Sequence, residues 1–242
     1  MANRGQGDYK DVFVRAAIRD VGPNFNYDPL AGISRKEFRR IGIYSPDEFR
    51  AEDQIGGTYN GVKFNLSEAI NIPRDAKLKL GDSPGLNLIS LIFFAWSTMK
   101  DIQAFSGSVL VCEFDKKFSG QTIVASRTLN TKFLGEKELL DDVKFNENFR
   151  VFTTDKVEAR YLLTPAFMGK LNILKAYKNT LKSPSAAFMD NKFYLFCFSR
   201  RNFFEGRLFD KLDIAEARRE QRYVRQMLSV IDELNLSLDI YR

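Results

Sequence analysis

Four residues in one short stretch have the types and spacing to do chemistry. Asp155 and Glu158 stand three apart, with Arg160 and Tyr161 just behind them, inside FRVFTTDKVEARYLLTPAFM (149–168). On a helix that begins after Asp155, the two carboxylates share the amino-terminal face, where the backbone dipole favours negative charge. Carboxylates so placed can bind a cation or act as an acid and base pair. The same residues also have a structural reading. Asp155 and Glu158 have the spacing of a capping box, Arg160 is placed to pair with a carboxylate on a strand, and Tyr161 to bury its ring with the hydroxyl satisfied. Each of these is commoner than catalysis.

Composition narrows the chemistry further. The 242-residue chain contains no histidine, which removes Ser-His-Asp and Cys-His catalysis and every histidine-bearing zinc or iron site. Two cysteines, Cys112 and Cys197, are too few for a four-thiolate zinc centre, and both lie in apolar runs where free cysteine acts as a small buried hydrophobe. Gly56-Gly57 and GDSPG (81–85) match neither phosphate-binding glycine pattern. What remains on the catalytic side is a carboxylate- and lysine-based, hydrolase-like enzyme with its site near Asp155, Glu158 and Arg160. The preferred reading is a non-enzymatic binding module that needs no metal and no cofactor.

The second candidate is electrostatic. Net charge is +6, and two basic clusters stand out as a binding surface: Arg35, Lys36, Arg39 and Arg40 in SRKEFRR, and Arg218, Arg219, Arg222 and Arg225 near the carboxy-terminus. Such surfaces attract anionic membranes and nucleic acids. Glu216, Glu220 and Asp232 dilute the second cluster, so a solvated face is the plain alternative. Nucleic acid is the weaker partner, because the aromatic residues fall in core-like patterns and not in a base-stacking motif.

These residues need elements to position them. Ser34 and Glu37 have capping-box spacing and open a short basic helix with Phe38 and Ile41 inward. From Ala51 to Ile72 the pattern has period two, turning at Tyr59-Asn60-Gly61 as a hairpin. FSGSVLVCEF, DKKFSG and QTIVAS read as a second hairpin with Gly120 in a left-handed position. The acidic GEKELLDD (135–142) reads as a helical turn with a solvated face. Phe149, Val151 and Thr153 alternate as in a strand. Asp155 then caps one helix and Thr164-Pro165 starts another, with Phe167, Met168, Leu171 and Leu174 as its apolar stripe. AAFMDNKFYLFCFS (186–199) is a third hairpin turning at Asp190-Asn191. The last element is an amphipathic helix, capped by Asp213 and Glu216, with Ile214, Ala217, Val224, Met227, Leu228, Ile231 and Leu234 at helical spacing.

Hairpins interleaved with helices predict an α+β fold, a largely antiparallel sheet packed by a two-piece central helix and the long carboxy-terminal one. The 22 phenylalanines are expected in the core between sheet and helices. Residues 23–242 read as one domain. Residues 1–22 read as an amino-terminal segment, either flexible or following an anchor, in which Val12, Val14, Ala17 and Ile18 fit a short helix. The longest apolar run, LNLISLIFFAW (86–96), is shorter than the roughly 20 residues a membrane span needs and reads as a buried strand. The amino-terminus has no signal-peptide core.

Two of these blocks carry a resemblance. Phe149, Val151, Asp155, Glu158, Ala159, Arg160, Tyr161, Leu163, Thr164, Pro165, Met168 and Leu171 resemble the central block of the bacterial family called domain of unknown function 3137. FSGSVLVCEFDKKFSGQTIV resembles it through Phe105, Gly107, Phe114, Phe118, Gly120 and Val124. The resemblance implies no assigned activity. It implies membrane attachment in many members, often by helices ahead of the soluble domain, and gene neighbours encoding LemA-type membrane proteins. The expectation for this chain is therefore an accessory module with a protein partner, possible contact with an anionic membrane, and a place on the cytoplasmic side of the bacterial inner membrane, or in the cytoplasm if no anchor precedes it.

Overall fold

A run such as KFYLFCF (192–198), apolar at nearly every position, is stable only where both faces of its sheet are covered. A computed structural model describes residues 14–44, 47–72, 104–129, 135–177, 183–199 and 214–239, and it places this run at the centre of a nine-stranded sheet. The strands are β1 (Asn26–Asp28), β2 (Glu48–Tyr59), β3 (Val62–Ile72), β4 (Phe105–Glu113), β5 (Thr122–Ser126), β6 (Glu136–Glu138), β7 (Phe149–Thr153), β8 (Ser185–Met189) and β9 (Lys192–Phe198). Six helices accompany them among the described residues: α1 (14–19), α2 (Arg35–Ile41), α3 (Val143–Asn148), α4 (Lys156–Leu162), α5 (Pro165–Tyr177) and α6 (Ile214–Asp239). The strand order is β1-β2-β3-β4-β9-β8-β5-β7-β6, and every pairing is antiparallel. The fold is α+β, as the sequence predicts.

Side-chain alternation along β9 explains its composition. Phe193, Leu195 and Cys197 enter one core with Phe167, Leu171 and Leu174 of α5 and Met227, Leu228 and Ile231 of α6. Tyr194, Phe196 and Phe198 enter a second core on the opposite face, with Phe38 and Ile41 of α2, Tyr44 and Phe105. Rings meet there at edge or tilt geometry: Phe105 lies 5.6 Å from Phe196 and 5.1 Å from Phe198, and Phe38 5.7 Å from Phe196. Much of the phenylalanine excess is therefore packing on both sides of one sheet.

The turns obey their residues. Asn60 and Gly61 hold φ of 47° and 83° between β2 and β3, and Asp190 holds 55° between β8 and β9, the positive angles that tight hairpins require. Both end strands of the sheet, β1 and β6, are three residues long, and β1 pairs with only Gln54, Ile55 and Gly56 of the twelve-residue β2.

Three expectations are corrected. β4 and β5 do not pair with each other: β4 lies between β3 and β9, and β5 between β8 and β7. The β8–β9 hairpin is inserted between them because β9, apolar on both faces, gains most from the central position. The 114–121 loop runs over that hairpin's turn, with Phe114 N–H donating to the Asn191 carbonyl at 2.8 Å and Phe118 N–H to the Asp190 carbonyl at 2.6 Å. Gly120 is not among the glycines with positive φ; it is required by closeness, since a Cβ there would meet Thr154 Oγ1 at 2.6 Å and Asp155 Cβ at 3.0 Å. Finally, residues 136–138 form edge strand β6 on β7, not a helical turn, because pairing with β7 overrides their weak local preference. Residues 86–96 and Asp213 lie outside the described residues, and so do the side chains of Ile214, Glu216, Ala217 and Glu220.

Candidate functional site

The start of α4 sends Asp155, Glu158, Arg160 and Tyr161 in different directions. Asp155 is the N-cap, its carboxylate accepting the Glu158 N–H at 3.0 Å. Glu158 does not complete the reciprocal box. Its Oε1 accepts the Ser119 N–H at 2.7 Å and its Oε2 the Gly120 N–H at 2.9 Å. Thr154 adds to this grip: its Oγ1 accepts the Gln121 N–H at 2.8 Å, and its own N–H donates to the Gln121 carbonyl at 3.0 Å. The two blocks that carry the family resemblance thus touch each other here, one clamping the loop of the other.

Arg160 pairs with a strand carboxylate, as the sequence predicts. Its Nε and Nη2 donate to Glu138 Oε1 of β6 at 3.0 and 2.8 Å. Lys156, one turn earlier, lies 2.7 Å from Glu136 of the same strand. The hydrogen bond to Glu138 raises the Arg160 pKa above its ordinary value, and the bond from Lys156 holds the Glu136 carboxyl below its own. Together these bonds tie α4 to β6. Tyr161 corrects the sequence reading: it is 50% exposed, on the outer side of α4 with Val157 at 66%. Ala159, Leu162 and Leu163 occupy the buried side, which turns position 161 outward.

A small pocket of about 150 Å³ lies between α4 and the loop, with Phe118, Leu162, Asp155 and Glu158 among its lining residues. Its carboxylates are those already engaged in the cap and the clamp. Among the described residues no group of three or more Cys, Asp and Glu is arranged to hold a metal ion. Cys112 and Cys197 are both buried and unbridged, and burial pushes the Cys112 thiol well above its ordinary pKa.

The two basic clusters do not form one surface. α2 packs on one face of the sheet and α6 on the other, so the sheet separates them. On α2, Arg35 donates to the Asp47 carbonyl at 2.7 Å. Arg40 reaches the Asp190 carboxylate at 2.5 Å and Tyr194 Oη at 3.4 Å; the Tyr194 bond is the chief reason its pKa is raised. Lys36 and Arg39 are exposed. On α6, Arg218, Arg222 and Arg225 are exposed, and the Arg219 side chain lies outside the described residues.

Helix α1 supports the α6 cluster. Gln221 Nε2 donates to the Ala17 carbonyl at 3.0 Å and Arg225 Nη2 to the Asp20 carbonyl at 2.6 Å. Val14 and Ile18 enter the core below, and Arg19 is exposed. No helix among the described residues is long and apolar enough to cross a membrane.

Sequence reasoning missed one site. Ser34 caps α2 as predicted, accepting the Glu37 N–H at 3.1 Å. The Glu37 carboxylate, however, accepts from Lys192 Nζ at 2.8 Å and from the Tyr194 hydroxyl at 3.0 Å. Beside it opens a cleft of about 350 Å³ lined by residues of β1, β2, β3, β4 and β9, by Glu37 of α2 and by the loop before α2. The available signal was Gly56-Gly57 inside a strand pattern, because glycine within a strand often marks a close approach.

The family model described as "Protein of unknown function (DUF3137)" matches residues 103–236, more than half of the 242-residue chain. No curated protein matches the sequence. Among solved structures, the crystal structure of the mycobacterial trehalose monomycolate transport factor A, TtfA, is similar over 96% of this chain and 97% of that one, at 10% identity and a TM-score of 0.44. Likeness at that level carries no argument about function.

Proposed function

We propose, from the premise that this chain belongs to the DUF3137 family, that it is a non-enzymatic accessory module. It works at the cytoplasmic face of a bacterial membrane, held there by a basic helix surface while it binds a membrane-protein partner. The observation that carries this reading is the α6 ridge. Arg218, Arg222 and Arg225 are exposed on a helix whose other side is buried in the core, and α1 lies alongside with Arg19 exposed. A basic residue near an anionic leaflet contributes about 1 kcal/mol, so a few arginines on one ridge give weak, salt-sensitive attachment, suited to assisting a second interaction. The carboxylate-enzyme alternative loses ground on geometry, since Asp155, Glu158 and Arg160 are each engaged in a cap, a loop clamp or an ion pair.

Co-sedimentation with vesicles tests the surface. The protein should pellet with phosphatidylglycerol-containing vesicles, not with phosphatidylcholine alone, and added salt should release it. The pair Arg218→Glu and Arg222→Glu should abolish pelleting; both sites are exposed, so the thermal midpoint should hold. Binding that survives this pair or high salt would overturn the membrane contact. The partner claim requires that the wild-type protein recover a specific membrane protein from detergent-solubilised host membranes. Recovery no different from that of a matched, charge-reversed control would reject it.

A further inference from the structure

Helices α2 and α4 lie on opposite faces of the sheet, yet a chain of contacts joins them around its end, through the β8–β9 turn and the 114–121 loop. We propose that this loop is a latch held from both faces. Its docking over the turn is favoured by α4 through Glu158 and by α2 through Arg40, so a contact that draws Arg40 away loosens the surface beside α4. The α4 hold is direct: Glu158 accepts the Ser119 and Gly120 N–H groups, and Thr154, just before the helix, accepts the Gln121 N–H. The α2 hold acts through the turn. The loop's remaining anchors are carbonyls of the turn itself, Asp190 accepting from Phe118 N–H and Asn191 from Phe114 N–H, while Asn191 Nδ2 donates back to the Phe114 carbonyl at 3.1 Å. Those acceptors stay aimed at the loop only while the turn keeps its shape, in which Asp190 holds φ of 55°, an angle that a residue with a Cβ adopts at a cost. Helix α2 steadies that shape at two points: Arg40 reaches the Asp190 carboxylate at 2.5 Å, and Glu37 takes Lys192, the first residue of β9, at 2.8 Å.

Local opening of the loop is the two-state element on which both helices act. Docked, the loop buries the Phe118 ring, 5.4 Å from Phe188 and 6.2 Å from Phe114. Its other residues from Asp115 to Ser119 are exposed. A segment fixed by one ring and a few hydrogen bonds opens ahead of the core beneath it. Opening uncovers Phe118 and widens the pocket of about 150 Å³ that the loop shares with Val157 and Leu162 of α4. Because both helices favour the same docked state, a contact made at either one biases the other, and the bias is reciprocal.

Hydrogen exchange of the full chain, followed amide by amide in proton–nitrogen correlation spectra, tests the latch. The Arg40 and Asp190 side chains are 48% and 54% exposed, so their pair is weak and the effect is correspondingly small. Arg40→Ala should speed exchange of the Phe118, Ser119 and Gly120 amides about two- to five-fold, while the amides of β4 and β9 keep their rates. Arg39→Ala, exposed on the same helix, should leave all of these unchanged. Asp190→Gly removes the carboxylate and keeps the positive φ without strain; in that background Arg40→Ala should have no further effect on the three loop amides. In the reverse direction, Glu158→Gln should shift the Arg40 Nε–H signal. Unchanged loop exchange in Arg40→Ala, an equal response to Arg39→Ala, a response undiminished in the Asp190→Gly background, or an unmoved Arg40 signal in Glu158→Gln would overturn the proposal. So would acceleration spread evenly over the core amides, which marks general destabilisation. The latch does not depend on the membrane reading: Arg40 lies across the sheet from the α6 ridge, and Arg40→Ala should leave vesicle binding as in the wild type.

Discussion

Replacing Glu158 by alanine should loosen the loop that crosses the β8–β9 turn, by an amount that the geometry bounds. The carboxylate accepts two backbone N–H groups, from Ser119 at 2.7 Å and Gly120 at 2.9 Å. A hydrogen bond to a charged group contributes about 1.5–3 kcal/mol where water cannot replace it. Ser119 is exposed and Gly120 is half-buried, so water recovers most of the first bond and only part of the second. The expected loss is therefore about 2 kcal/mol for Glu158→Ala and about 1 kcal/mol for Glu158→Gln, whose amide oxygen still accepts one N–H. Urea unfolding should show a lower midpoint with an unchanged slope. Hydrogen exchange should localise the effect: the Ser119 and Gly120 amides exchange faster, while those of β4 and β9 stay protected until global unfolding. A loss under about 0.5 kcal/mol, or a full loss with Gly120 exchange unchanged, would refute the clamp as a stabilising contact and leave Glu158 as a first-turn charge only.

Tyr44 is fully buried, its hydroxyl makes no hydrogen bond of good geometry among the described residues, and burial raises its pKa far above the ordinary 10.0, outweighing the opposing effect of the Ser185 side chain. A raised acid pKa favours the fold while the phenol stays neutral, so this contribution is complete below about pH 10 and declines as pH rises beyond it. Tyr44→Phe should be neutral or stabilising by up to about 1 kcal/mol near neutrality, with a shallower alkaline loss in denaturation series; an unchanged alkaline limb would contradict the assignment. Cys112 and Cys197 should react with an aromatic disulfide reagent only at the rate of unfolding, because both are buried and the Cys112 thiol resists ionisation; fast labelling of the native protein would show that the core is open.

Local chemistry was readable in the chain wherever a residue's partner lies within one turn. Ser34, Asp155 and Thr164 accept the N–H groups that their spacing predicts, and Asn60-Gly61 and Asp190 turn the hairpins predicted at them. Reading failed where a distant partner decides. Glu37 and Glu158 have capping-box spacing, yet one carboxylate goes to Lys192 and Tyr194 and the other to Ser119 and Gly120. Nothing within three residues distinguishes a glutamate that folds back from one that reaches across. The DKKFSG turn chemistry was sound, but it cannot reveal that another hairpin occupies the space between the strands it joins. Arg160 finds the strand carboxylate expected for it, while Tyr161 faces outward, because the buried side of so short a helix is set by what packs against it. The cleft beside Glu37 leaves only a faint trace, since its parts come from five separate strands, helix α2 and the loop before it.

The inserted β8–β9 hairpin also sets the order of folding. During synthesis β4 and β5 emerge together, long before Ser185–Phe198, and their nearest available partners are each other. A β4–β5 hairpin is the quickest pairing by loop closure and the wrong one in the finished sheet. It has to stay open, or reopen, until β9 can align Phe196 with Val109 and β8 can align Ala186 with Val124. The middle of the sheet is thus the last part to close. Until then β4 and β5 present unpaired inner edges, which makes this interval the period of greatest exposure to aggregation and to chaperones.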